Sequence, residues 1–337
     1  MTDGQPNTLV SANTRTYGRL PSRPQVVNPL DEFVGLEQRL RWLRLKEWIG
    51  FTLVHPELYS SMVVQDAHYV ASSEIYAYDC RSGELHQHAS NALGGSLELP
   101  SELFGSACSY VRPGYEIQYE FGAERGTHTI RFDVAPTERA PALRGELTLD
   151  GGAASPPLSV SSRLPGGAMY THKRLYPASG SIQVGAAEFV FEPSRDLAII
   201  DEHRSFLPYR TRWLWGTFAR IALDGPVGAN FISRPELPGE PEESCIWTPD
   251  AGEPLAGISF APASADPLSP WHIWSADGRL DVTFEPDGRK DVKHQLVVAA
   301  IDYFQLFGRY TGTLRGADRT YTLRDVHGVC ESMVARL

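Results

Sequence analysis

Apolar and polar residues alternate with a period of two along most of the chain. The segments YEIQYEF and THTIRFDV alternate on either side of a glycine-bearing loop, which predicts a β-hairpin. The segment RLDVTFE places Leu280, Val282 and Phe284 on one face, which we expect to point inward. Turn signals such as ALDGPVG, SADGRL and EPDGRK recur roughly every ten residues. The pattern predicts antiparallel sheet in a sandwich or barrel, without a βαβ rhythm.

One short helix is expected near the N-terminus. In NPLDEFVGLEQRL, Asn28 suits a helix N-cap, Pro29 suits the first turn, and apolar residues from Phe33 to Leu40 keep helical spacing. The following WLRLKEW alternates again and predicts a strand that begins near Trp42.

The chain divides into three predicted segments. Residues 1–27 are polar and contain proline and glycine, which is typical of a loose arm. Residues 28–200 form an N-terminal β domain and residues 201–337 a C-terminal β domain in this division. The first residues lack the apolar run of a secretion signal, and no apolar run is long enough to span a membrane, so we expect a cytoplasmic protein.

Composition and charge narrow the functional classes. The net charge of −10 argues against nucleic-acid binding, which needs a basic face. The four cysteines lack CxxC spacing and are expected to be free thiols in a reducing compartment. His86 and His88 lie two apart on a polar hairpin and are expected to be exposed rather than to bind a metal. Phosphate-binding, dinucleotide-binding and nucleophile-elbow motifs are absent, so we expect no metal and no cofactor.

The segment DEHRSFLPYRTRWLWGTF, residues 201–218, is the first candidate site. Strand alternation places Asp201 and His203 on one face, where a carboxylate beside an imidazole forms a plausible acid–base pair. Trp213 and Trp215 share a face beyond a bend at Pro208 and suit an apolar pocket or a cation above their rings. The alternative is structural, with tryptophans in the core and arginines paired to acids.

Tyr209 and Arg210 lie in the bend of the same segment and are candidates to stabilise an oxyanion. A second acid–histidine pair, Asp66 and His68 in QDAHYV, is either a further catalytic candidate or a hydrogen-bonded structural pair.

Three further acids are candidates for burial. Glu243 alternates with Cys245 and Trp247, so on an inward face it would be desolvated and hold a proton near neutral pH; on an edge strand it would be exposed. Trp247 is therefore a candidate ligand contact with Glu243. Asp302 in AAIDYFQLFGRY and Glu331 in HGVCES are acids in apolar surroundings that can also serve to pair arginines.

The segments NPLDEF, WLRLKEW, SSMVVQDAHY, SADGRLDVTFEP and HGVCES, with residues 201–218, resemble an uncharacterised bacterial family, domain of unknown function two-eight-zero-four. The chain is more remotely similar to calycin-type proteins that include carotenoid hydratases and tocopherol cyclases, through Asp201, His203, Trp213 and Trp215. That resemblance implies two lipocalin-like antiparallel barrels or sandwiches with a site at an apolar cavity. Arg204 and Ser205 follow where those enzymes often carry another His or Asn.

Three functional hypotheses follow from the sequence. The first is a metal-free acid–base lyase, hydratase or isomerase/cyclase that acts on a large apolar molecule such as an isoprenoid, polyketide or aromatic compound. The second is a non-catalytic carrier of lipids or small ligands. The third is a scaffold or stress-related binding protein, for which we expect filled barrels and no closed cavity.

Overall fold

The computed structural model describes residues 7–295 and 300–336 of the protein. Strands make up 62% and helices 4%, with one nearly closed barrel sheet and one curled half-barrel sheet, so the predicted all-β class is confirmed. The N-terminal elements are β1 (Val10–Ser11), β2 (Thr14–Arg15), β3 (Gly18–Arg19), a 3-10 helix (Pro29–Glu32) and α1 (Gly35–Trp42).

Antiparallel strands follow the helix. The first group is β4 (Leu45–His55), β5 (Leu58–Asp66), β6 (Val70–Asp79), β7 (Glu84–Leu93), β8 (Ala107–Arg112), β9 (Tyr115–Phe121), β10 (Thr127–Val134), β11 (Leu143–Asp150), β12 (Leu158–Leu164), β13 (Gly167–Val184), β14 (Ala187–Phe191) and β15 (Leu197–Phe206). The second group is β16 (Arg210–Ala222), β17 (Gly225–Ser233), β18 (Cys245–Trp247), β19 (Gly252–Pro254), β20 (Ile258–Pro262), β21 (Trp271–Ser275), β22 (Leu280–Gln295), β23 (Ala300–Arg315) and β24 (Thr320–Arg336).

These strands form two large sheets. The first sheet has 13 strands in the order β7-β6-β5-β4-β15-β13-β11-β10-β9-β8, with β12 and β14 also paired to β13 and β3 paired to β12. The second sheet has nine strands in the order β19-β18-β17-β16-β24-β23-β22-β21-β20. The predicted domain boundary before residue 201 falls inside β15, and the chain passes between the sheets after Phe206 and before Arg210.

Sequence alternation agrees with the strands in most places. The predicted hairpin is present as β9 and β10, and Leu280, Val282 and Phe284 are buried on one face of β22. The predicted strand around Trp42 begins later, because Trp42 ends α1 and β4 starts at Leu45. The expectation for His88 is wrong: it is buried on β7, with Nε2 2.9 Å from the Pro141 carbonyl oxygen.

Strand β15 is buried on both faces, so it contributes side chains to two separate apolar clusters. Ala198, Ile200 and Glu202 face the interior of the first sheet, whose core continues through Phe51 and Tyr119. Leu197 and Ile199 lie on the opposite face and pack in a separate cluster that includes residues of the second sheet. The outer faces of the two sheets therefore pack against each other, and β15 contributes every second residue to that interface.

The N-terminal arm is packed rather than loose over its described part. Leu9, Val10, Leu20 and Val27 are buried. Arg23 makes two hydrogen bonds to the Glu202 carboxylate, at 2.7 and 2.8 Å, inside the first sheet. The arm is thereby attached to the same strand that supplies the candidate site.

Arginine 19 of the arm reaches toward the second sheet. Its NH2 group donates hydrogen bonds to the carbonyl oxygens of Glu242, at 3.3 Å, and of Ser244, at 2.8 Å. Residues 1–6 of the predicted arm lie outside the described residues.

Candidate functional site

A pocket of about 100 Å³ lies between the outer faces of the two sheets. Its walls differ from the apolar cavity inside a barrel that the resemblance implied, since the barrel interiors are filled by apolar core residues. One wall comes from β4, β13 and β15, and the other from β16, β17, β24 and adjoining loops. The residues that line the pocket include Trp48, Lys173, Asp201, His203, Leu207, Arg210, Trp213, Trp215, Ile232, Arg234, Glu243 and Glu331.

Strand register explains how these side chains meet. On the first sheet Lys173 of β13 pairs with Asp201 of β15, and His203 of β15 pairs with Trp48 of β4. On the second sheet Trp215 of β16 lies between Ile232 of β17 and Glu331 of β24. Both sets lie on the outer faces of their sheets, so packing of the sheets brings them to one pocket.

Six of the predicted site residues line this pocket: Asp201, His203, Arg210, Trp213, Trp215 and Glu243. The two faces predicted for residues 201–218 therefore open onto the same space. Four others are not among the lining residues: Asp66, His68, Tyr209 and Trp247.

Lys173 joins two of the three acids that line the pocket, Asp201 and Glu243. Its Nζ atom lies 3.2 Å from Asp201 Oδ2 and 3.0 Å from Glu243 Oε1, and its side chain is only 3% exposed. The same Nζ atom lies 4.5 Å from the centre of the Trp215 ring. Buried charges are tolerated when they are paired, so this lysine neutralises a carboxylate from each side of the interface.

Glu243 is buried and ionised, contrary to the expectation that it would hold a proton. Burial opposes the charge, but Lys173 and Arg234 outweigh that effect and hold the pKa of Glu243 at about 2. Arg234 donates a hydrogen bond of 3.1 Å from NH1 to Glu243 Oε2. The alternative expectation of an exposed edge acid is also wrong, since the Glu243 side chain is 4% exposed.

Asp201 behaves differently although it shares the same lysine. Burial in the pocket raises its pKa above the ordinary aspartate value, and Lys173 and a hydrogen bond from Trp48 only partly oppose that shift. Its Oδ1 atom has no hydrogen-bond partner among the described residues. This oxygen is therefore free to exchange a proton or a hydrogen bond with a molecule in the pocket.

His203 is held in its neutral form. Burial lowers its pKa to about 3, and the charges of Lys173, Arg234 and Arg15 act in the same direction against an opposing effect of Glu243. The surroundings therefore lower the basicity of the ring as a whole. The imidazole stacks on the Trp48 indole with ring centres 4.0 Å apart, and its Nε2 atom has no hydrogen-bond partner among the described residues.

Glu331 is a buried acid on the second sheet. It accepts hydrogen bonds from Trp213 Nε1 at 2.9 Å, Tyr303 Oη at 2.7 Å and Gln305 Nε2 at 3.1 Å. Burial nevertheless raises its pKa, because it outweighs these three donors. The prediction that Glu331 is a buried acid is confirmed.

The tryptophans have fixed orientations. Trp213 Nε1 binds Glu331, and Trp215 Nε1 donates to Asn230 Oδ1 at 2.8 Å. The proximity of Lys173 to the Trp215 ring means that this ring already contacts a cation. Trp213 therefore offers the more accessible aromatic surface to a ligand.

Asp66 and His68 lie at the turn between β5 and β6. Asp66 accepts hydrogen bonds from the backbone amides of His68 at 2.5 Å and Gly95 at 2.9 Å. His68 Nε2 lies 2.8 Å from Glu47 Oε2, and its ring lies 4.6 Å from that of Trp42. These contacts match the structural alternative, and a catalytic role for this pair stays a prediction.

The other singled-out residues lie apart from the pocket walls. Trp247 is fully buried in the apolar cluster between the sheets. Tyr209 is 48% exposed in the segment between β15 and β16. Asp302 is exposed and lies 3.6 Å from Lys293, so the expectation of a buried acid there is wrong.

The pocket residues Trp48, Lys173 and Arg234 were not recognised as site residues in the sequence. A lone lysine or arginine is ordinarily solvated, so neither Lys173 nor Arg234 gives a distinctive local signal. Lys173 meets Asp201 through the pairing of strands 28 positions apart in the chain, which single-sequence alternation does not reveal.

Within residues 7–295 and 300–336, no group of three or more His, Cys, Asp and Glu side chains is arranged to hold a metal ion. None of the described helices has the length and apolar character required to cross a bilayer.

The chain is similar to solved structures of low sequence identity. A protein from Nitrosomonas europaea provisionally called AttH is 13% identical, with a TM-score of 0.50 over 93% of this chain and 98% of that chain. Kievitone hydratase from Nectria haematococca is 10% identical, with a TM-score of 0.44 over 94% of this chain and 97% of that chain. A search of functionally curated proteins found no match.

The chain also matches a protein family by sequence. The model of the family described as Domain of unknown function (DUF2804) matches residues 27–337, which include every strand of the two large sheets except β3 and every residue that lines the pocket. The chain is therefore a member of the DUF2804 family.

Proposed function

We propose that the protein is a metal-free acid–base enzyme, a hydratase or isomerase, that acts on an unsaturated small molecule in the pocket between the sheets. The observation that carries the proposal is the pair Asp201 and His203. Both side chains face one pocket. The Oδ1 atom of Asp201 and the Nε2 atom of His203 have no hydrogen-bond partner among the described residues. Unpartnered polar atoms at buried positions are costly and are typical of functional sites.

We assign Asp201 as the proton donor to the substrate. Its raised pKa increases the fraction of protonated carboxyl near neutral pH, which general acid catalysis requires. Protonation of a carbon–carbon double bond would create a cation, and Trp213 supplies an aromatic face near it. A water molecule that adds to the cation and returns one of its protons to the Asp201 carboxylate completes hydration, whereas loss of a proton from a neighbouring carbon to that carboxylate completes isomerisation.

We assign His203 as the hydrogen-bond acceptor that orients this water molecule. Its pKa of about 3 keeps the imidazole neutral over the physiological range, and in the tautomer with the proton on Nδ1 the Nε2 atom accepts a hydrogen bond from water. The stack on Trp48 fixes the ring plane. Arg210 at the pocket suits a polar group of the same substrate, and an entirely apolar substrate fits poorly beside the charges of Lys173 and Glu243.

The second candidate is a non-catalytic binding protein for small ligands. It is favoured by the ion pair between Lys173 and Asp201, which gives Asp201 a structural role in joining the two sheets. In that case Trp213 and Trp215 would contact the ligand, and no proton would be transferred.

The test measures turnover on a panel of isoprenoid alcohols and aromatic enones. Hydration is detected by mass spectrometry in ¹⁸O-labelled water, and isomerisation by deuterium incorporation from heavy water. Asp201→Asn and His203→Gln are expected to lower turnover by about 10²-fold or more, whereas the exposed Asp302→Asn serves as a matched control. Full turnover in both site variants contradicts the assignment, and ligand-induced tryptophan quenching without turnover supports the binding protein.

A further inference from the structure

Helix α1 carries an apolar stripe that faces solvent. Leu36, Leu40 and Leu43 follow the i, i+4, i+7 spacing of one helix face, and they are 72%, 59% and 49% exposed. Val34 is 63% exposed beside them, and no residue of α1 is buried. An amphipathic helix ordinarily turns such a stripe toward the core, so this stripe lacks the partner that its pattern implies.

The exposed apolar surface continues beyond the helix. Trp42 at the end of α1 contacts the His68 ring, which places the helix against the turn between β5 and β6. Tyr69 and Val70 of this turn are 49% and 36% exposed, and Val70 pairs with Leu93, which is 80% exposed. We call this surface, formed by α1, Tyr69, Val70 and Leu93, the helix patch.

The charge of the helix patch is opposite to that of the whole protein. The helix patch contains Arg39, Arg41 and Glu37 and so carries a net charge of +1, and Arg44 follows the helix, whereas the whole chain carries −10. Arg39 is exposed and has no ion-pair partner among the described residues. Arginines flanking an exposed apolar stripe are typical of helices that lie in the surface of an anionic bilayer.

We propose that the helix patch docks on an anionic lipid surface, with the leucines of α1 in the acyl boundary and Arg39 at the headgroups. A second copy of the chain fits this surface less well, because a two-fold contact would place two positive segments together. The patch also adjoins the pocket: Arg44 NH2 donates a hydrogen bond of 3.0 Å to the Leu207 carbonyl oxygen, and Leu207 lines the pocket. Docking would therefore bring one end of the pocket close to the lipid.

The test is co-sedimentation with phosphatidylcholine vesicles that contain about 30% phosphatidylserine, compared with vesicles of phosphatidylcholine alone. The full chain is expected to bind the anionic vesicles and to dissociate at high salt. The double variant Leu36→Glu/Leu40→Glu is expected to lose binding at least about tenfold, and Arg39→Gln about fivefold. Both changes are at exposed positions, and circular dichroism checks that each variant is folded.

The matched control is Leu223→Glu, since Leu223 is fully exposed in the turn between β16 and β17, away from the helix patch. It is expected to bind vesicles like the unmodified chain. Equal binding by all variants, or no binding to anionic vesicles, overturns the proposal. So does a dimer in sedimentation velocity that Leu36→Glu/Leu40→Glu dissociates, because the patch would then be a self-association surface. These outcomes are independent of turnover, so they leave the proposed acid–base function untouched.

Discussion

Replacement of Lys173 by methionine removes the charge that links the two sheets at the pocket. Methionine keeps an unbranched apolar side chain of similar length, but Asp201 and Glu243 lose a partner at 3.2 and 3.0 Å. Removal of one partner from a buried ion pair costs about 3–5 kcal/mol. Arg234 still binds Glu243 at 3.1 Å, so we expect the free energy of unfolding to fall by about 3 kcal/mol at pH 7.

The pH dependence of this loss follows from the pKa of Glu243. In the unmodified protein its pKa is lowered to about 2, so its stabilising contribution is present above the unfolded value near 4.5 and is lost as pH falls toward 2. In Lys173→Met the pKa of both acids rises, so each carboxylate costs stability at neutral pH and recovers it on protonation. The difference between the two proteins should therefore shrink as the pH is lowered from 7 to 4.

The assay is urea unfolding followed by tryptophan fluorescence at several pH values. Lys293→Met is the matched control, since Lys293 and Asp302 form an exposed pair at 3.6 Å and its loss should leave stability nearly unchanged. A loss below about 1 kcal/mol in Lys173→Met, or a difference that stays constant with pH, would refute the reasoning.

Two other variants test buried groups. Burial lowers the pKa of His172 to about 3, so the unfolded chain binds the extra proton and stability falls as pH drops from about 6 toward 3. In His172→Phe the slope of unfolding free energy against pH in urea titrations should be smaller by about 1.4 kcal/mol per pH unit, and an unchanged slope contradicts this. Glu331→Gln should lower the free energy of unfolding by about 1–3 kcal/mol. The glutamine amide has one acceptor oxygen, so its NH2 group must face either the Trp213 donor or the Gln305 donor. An unchanged melting temperature would argue against those hydrogen bonds.

Local alternation was sufficient to predict part of the pocket. The period of two in β15 separates Asp201 and His203 from Glu202, and the same period in β16 brings Trp213 and Trp215 to one face. A strand determines which residues share a face by its own geometry, without reference to its neighbours. This is why the link between the two faces could be proposed from the sequence.

The remaining properties of the pocket depend on long-range pairing. Strand β15 is buried on both faces, so its pattern does not show which face meets the second sheet. The pKa of Glu243 was predicted with the wrong sign, because its partner Lys173 lies on β13 of the other sheet and only the packing of the two sheets brings them together. Charge–charge contacts across an interface are set by packing, which the local sequence does not encode.

The N-terminal arm affects where the N-terminal boundary of the family domain should be placed. The family match begins at residue 27, yet Arg23 supplies two hydrogen bonds to the fully buried Glu202, and Arg19 binds the backbone on both sides of Glu243. A fragment that begins at the family boundary would lack Arg23, so the Glu202 carboxylate would lose these two hydrogen bonds. Glu202 lies between Asp201 and His203, the two residues proposed to carry the chemistry. We therefore expect relatives to carry an equivalent arm, because the matched domain alone lacks residues that support the walls of the pocket.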